Sequence, residues 1–138
     1  MSQENVERLE AMQRGTEAFN RRDVEGVLEE VDAEIEWQDA FQVLLGGEAT
    51  TYHGHDGIRD LIREQDELFV EFDAEYSDIR ERGDTMVAIG VLRTRGRASG
   101  AATESPVATV VEFKGKKAIR VRTYLDPAEA LEAAGLSE

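Results

Sequence analysis

The chain contains no cysteine. Disulfides, thiolate nucleophiles and cysteine-based zinc sites are therefore excluded. Basic residues are few: 16 against 30 acids, and only three of the 16 are lysines, Lys114, Lys116 and Lys117. The net charge of −14 repels phosphate and anionic headgroups, so neither nucleic acid nor a membrane surface is an expected partner. No apolar run approaches the roughly 18 residues that cross a bilayer. The opening MSQENVERLEAMQ has neither the basic start nor the apolar stretch of a secretory signal, which makes a cytoplasmic protein the expectation. Histidine occurs twice, at His53 and His55 beside Asp56, with no third ligand at a defined spacing. No metal and no cofactor is expected from that set.

The 138 residues suit one domain, 1–138, with a genuine core. Val6, Leu9, Met12, Thr16 and Phe19 recur at helical spacing and predict a first helix over 4–21. Asp23 caps a short second helix carrying Val24, Val27, Leu28 and Val31. Asp32-Ala33-Glu34 reads as a turn. Ile35, Trp37, Asp39 and Phe41 then share one parity, which predicts a strand whose indole and carboxylate face the same side. After a loop at Gly46-Gly47, Asp56 reads as the cap of a third helix with the stripe Ile58, Leu61, Ile62, Leu68, Phe69 and Phe72.

The second half changes period. Residues 72–82, 84–97, 106–114 and 117–125 read as strands, separated by Gly83, Ser99-Gly100 and Gly115. Met86 to Leu92 is apolar on both parities, so both faces should be covered, one by the helices and the other by a second subunit. Asp126-Pro127 opens a short last helix ending near Gly135. Helices segregated from an antiparallel sheet define an α+β domain, and a strongly bent sheet over three helices makes a cone with an apolar mouth.

Four stretches carry a family resemblance: Phe19-Asn20-Arg21-Arg22-Asp23-Val24-Glu25-Gly26, Ile35-Glu36-Trp37-Gln38-Asp39, Tyr52-His53-Gly54-His55-Asp56-Gly57-Ile58, and Tyr124-Leu125-Asp126 followed by Ala130 to Gly135. Together with the element order they resemble the SnoaL-like branch of the nuclear transport factor 2-like (NTF2-like) superfamily. The resemblance implies three N-terminal helices on a curved sheet. It leaves function open among isomerases, cyclases, hydrolases, dehydratases and non-catalytic modules. The steroid isomerase pattern falls on Trp37, Gly15 and Thr109, none of which has the functional group that mechanism requires, so steroid isomerisation is not expected. The cyclase pattern fits better, since it implies an acid in an apolar pocket with histidine and aromatic neighbours.

Asp39 is accordingly the candidate acid/base, with His53 and His55 orienting or polarising. Trp37, Tyr52, Phe19, Ile58, Thr109 and Val111 are the candidate pocket wall. The expected ligand is a small, hydrophobic, carbonyl-containing molecule handled without a cofactor, in a homodimer. A non-catalytic binding or dimerisation module is the alternative.

Overall fold

The computed structural model describes residues 1–136. Helix α1 runs Gln3–Asn20, with the Ser2 hydroxyl accepting from the Asn5 amide, and α2 runs Val24–Glu29 behind the Asp23 cap. Strand β1 is Val31–Asp39 and leads into a 3-10 turn, Phe41–Leu45. Strand β2 is Thr50–His53 and α3 is Gly54–Leu68. Four strands follow, β3 Phe69–Arg82, β4 Thr85–Gly96, β5 Ala102–Lys114 and β6 Lys117–Tyr124. Helix α4, Pro127–Ala133, closes the described chain behind its Asp126 cap. Among the described residues no helix is long and apolar enough to cross a membrane.

The six strands form one mixed sheet in the order β2-β1-β6-β5-β4-β3, with β1 and β6 parallel and every other pair antiparallel. This is the α+β architecture expected. Two core clusters fill the concave side. One joins α1, α2 and α3 to the sheet through Ile35, Ile58, Ile62 and Met86; the other gathers Phe41, Phe69, Phe72 and Leu92 at the far end.

Several boundaries differ from the pattern reading, each for a local reason. Asp32-Ala33-Glu34 is part of β1, because the register against β6 slips between Val31 and Glu36 and absorbs the irregularity as a bulge. The edge strand β2 lacks apolar alternation and pairs through its backbone with β1. Helix α3 begins after His53, so Asp56 lies in its first turn and is not the cap. Phe69 and Phe72 belong to β3. A register shift between Phe69 and Glu71 puts residues three apart on the same face, and the result imitates helical spacing. The outward face of β4 also has a different cover from the one expected. Val87, with Ala108 and Val110, packs under Ala130 of the chain's own α4, so its apolarity needs no second subunit.

Candidate functional site

The end of β1 sets the site. Trp37 and Asp39 share the inward parity, and both line a cavity of about 120 Å³ between the helices and the concave sheet. Phe19 enters from α1 and stacks on Trp37 at 6.2 Å with ring planes 11° apart. Phe72 meets Phe19 edge-on at 5.9 Å and Phe41 at 6.3 Å. The wall is thus aromatic and interlocked.

Within this wall Asp39 is 5% exposed, and its carboxylate accepts four hydrogen bonds. Trp37 Nε1 donates to Oδ1 at 3.1 Å and the Phe41 amide to Oδ2 at 3.1 Å. Gln65 Nε2 reaches Oδ2 at 3.4 Å, and the Thr123 hydroxyl, whose one hydrogen is shared with the Gln38 carbonyl at 3.3 Å, reaches Oδ1 at 3.4 Å. Burial pushes the Asp39 carboxyl above the ordinary carboxylate range, and the four donors pull it only partly back. Gln65 is fully buried, and its carbonyl accepts from Arg22 at 2.9 Å. A guanidinium therefore stands behind the acid, one amide away. Arg22 itself is held over the Phe19 ring, 4.7 Å from its centroid.

A second polar pair faces the same space. The Tyr76 hydroxyl lies 2.7 Å from Thr109 Oγ1, and both residues line the cavity. Burial pushes the Tyr76 phenol up to about 12; the Thr109 hydrogen bond opposes this and the nearby Asp39 adds to it. At another point on the wall, Glu30 is held by Arg14 in a two-pronged pair at 3.0 and 3.1 Å.

Of the residues singled out by sequence, Phe19, Trp37, Asp39, Thr109 and Val111 line the cavity. The other four do not. Exposed His53 lies at the β2 edge, and His55 is spent on the Val31 carbonyl, 3.2 Å from its Nε2. The expected histidine partners of Asp39 are thus absent from the cavity, because α3 starts at Gly54 and carries His55 to the Val31 end of β1. Tyr52 is buried one strand away, where its hydroxyl accepts from Gln42 and donates to Glu64, each at 2.8 Å. Burial and that glutamate raise its pKa. Ile58 is core.

Tyr76, Thr123, Gln65 and Arg22 are residues the pattern reading missed. Gln65 carried a signal, being a polar residue on the buried stripe Ile58, Leu61, Ile62 of α3. Tyr76 shares parity with Phe72 and Ala74 on β3, a signal already present in the 72–82 strand pattern.

Helices packed on a curled mixed sheet over an apolar, acid-bearing cavity define the NTF2-like cone. Within that class, residues 12–121 match the model of the SnoaL-like domain, and the chain belongs to that family. No curated protein matches it. Among solved structures it is similar to an NTF2-like protein of unknown function from Burkholderia pseudomallei K96243, at 25% identity and a TM-score of 0.78 over 96% of this chain and 97% of that one. It is similar to TerC co-crystallised with polyporic acid, at 21% identity and a TM-score of 0.77 over 91% and 96% of the two chains. A protein from Xanthomonas campestris pv. campestris named as a polyketide cyclase shares 16% identity, with a TM-score of 0.74 over 90% and 93%.

Proposed function

We propose that the protein is a cofactor-independent enzyme of the isomerase or cyclase type, moving a proton on a small apolar carbonyl compound with Asp39 as acid and base. The observation that carries this is the position of Asp39: a buried carboxyl with a raised pKa, on the wall of an aromatic cavity, with no cation in direct contact among the described residues. Desolvation brings such a group toward the pH at which it both accepts and returns a proton. Trp37 and Thr123 fix its Oδ1, while the Phe41 amide and Gln65 fix Oδ2. Similarity to a protein named as a polyketide cyclase supports the reaction class. The structure of TerC with polyporic acid supports small-molecule occupancy of the fold. The proposed working unit is a homodimer joined through the part of the outer sheet face that α4 leaves uncovered, where half-buried Val91 lies beside the Arg93 pairs with Glu75 and Glu104.

A non-catalytic binding module is the second reading, and one observation favours it. Donors already reach both oxygens of Asp39, so a proton can be taken only where one of them yields, as Thr123 does when its hydrogen turns to the Gln38 carbonyl. Deuterium uptake at the α-carbon of cyclohexanone separates the two readings. The enzyme reading expects exchange above the buffer rate and a loss of about 100-fold or more in Asp39→Asn, the scale of one general acid–base group. Exchange in that variant equal to the parent chain would remove Asp39 from the chemistry. Cavity binding without any exchange would leave the binding module.

A further inference from the structure

The cavity's size, charge and hydroxyl placement narrow the ligand, on the premise above that this cavity is the ligand site. A dry apolar cavity of roughly 150 Å³ accommodates one benzene ring. The 120 Å³ available here is therefore one ring's worth. Expansion is opposed by rings that hold one another, Phe19 against Trp37 and Phe72, and Phe41 against Phe69 and Phe72. Charge selects as well. The described lining holds two carboxylates, Asp39 and Glu30, and no lysine, arginine or histidine. An anion would lose its water and find no counter-charge. Glu30 is already matched by Arg14, so no free carboxylate at that wall calls for a cation.

What a carbonyl oxygen needs is a donor. The hydrogens around Asp39 are directed at Asp39. Tyr76 and Thr109 are different: two hydroxyls share one hydrogen bond, in which either can donate. One hydrogen serves that bond, and the second is free to turn into the cavity. The bulge between Tyr76 and Asp78 leaves Tyr76 opposite Gly90, and Phe72, Ala74 and Tyr76 all face the ligand space.

We infer that the cavity takes an uncharged carbonyl compound of about one ring, its oxygen held by a hydrogen bond from Tyr76 with Thr109 behind it. The phenol keeps its proton throughout the neutral range, as a donor must. Tyr76 is thereby the residue that distinguishes a ketone from a hydrocarbon of the same shape.

Trp37 is the single tryptophan and lines the cavity, so its fluorescence reports occupancy directly. Titration with cyclohexanone should saturate, while 2-decalone, cyclohexanecarboxylate and cyclohexylammonium should not at the same concentrations. Tyr76→Phe should weaken cyclohexanone about threefold to tenfold, the range of one neutral hydrogen bond. If that variant melts too low to titrate, the C=O stretch of cyclohexanone bound to the unaltered chain serves instead: it should lie below its value in an alkane solvent, as a hydrogen-bonded carbonyl does, and an unshifted band would overturn the inference. Saturation by the two-ring ketone or by either ion, no saturation by any probe, or equal affinity with and without the hydroxyl would each overturn the inference. Proton exchange confined to two-ring ketones would defeat this ligand class and spare the acid–base reading. One-ring binding without exchange would do the reverse.

Discussion

Asp39 is held between two opposing physical forces. Removal from water favours the protonated acid; four donors favour the carboxylate, and desolvation wins. The sign of its effect on stability follows. Between the unfolded carboxyl value, about 3.9, and the higher native one, the folded chain binds more protons than the unfolded chain. The stability contributed by the protonated acid is present below that window and is lost as pH rises through the native value. The melting temperature of the parent relative to Asp39→Asn should therefore fall as the pH rises above about 4. A difference that instead grows with pH would mean the four donors dominate. Parity alone put Asp39 and Trp37 on one side, whereas the roles of His55 and Tyr52 depended on neighbours, a Val31 carbonyl and a Glu64 carboxylate, that lie distant along the chain.

Elements place these residues through two backbone features. The first is Gly90 on β4. A Cβ there would stand 1.9 Å from the Glu75 carbonyl and 2.7 Å from the Tyr76 Cα, so only glycine lets β3 approach beside its bulge. Gly90→Ala should cost about 3 kcal/mol in urea unfolding and shift Tyr76, weakening cyclohexanone through a residue that never touches it. An unchanged midpoint would show that β3 gives way freely. The second is Arg22, the one non-glycine with positive φ, 59°, among the described residues. Its guanidinium reaches Asp66, Gln65 and two main-chain carbonyls, which offsets the left-handed strain. Both Arg22→Ala and Arg22→Gly should destabilise, with alanine the worse by about 1 kcal/mol, because it keeps the strain and loses the contacts. Chemical denaturation of the pair measures this. Equal losses would mean the turn carries no strain.

For the molecule as a whole, the charge of −14 sets the terms of assembly. Two such chains repel at low salt, and screening shortens that repulsion to about 10 Å at 0.1 M. The outer face of the sheet carries matched ladders, Arg93 with Glu75 and Glu104, and Arg120 and Arg122 with Glu112, beside half-buried Ile89 and Val91. Sedimentation should detect the proposed dimer, in a proportion that rises from low to moderate salt. A species of 15.4 kDa alone at every ionic strength would leave that face without a second copy.

The residue pattern by itself determined the α+β order, the buried positions Val27 and Leu28 of α2 and Ile58, Leu61 and Ile62 of α3, the last four strands and the shared face of Trp37 and Asp39, because each depends on a local period of 3.6 or 2. It could not resolve the bulges, since a register slip is an agreement between two strands, and one such slip made Phe69 and Phe72 look helical. Tertiary structure alone decided which polar groups meet. Folding brought Gln65 and Thr123 to Asp39 and Thr109 to Tyr76, took both histidines away from the cavity, and laid α4 over the face of β4 that had seemed to need a partner. Hydrogen bonds between distant side chains leave no period in a sequence; they exist only once packing has set the distances.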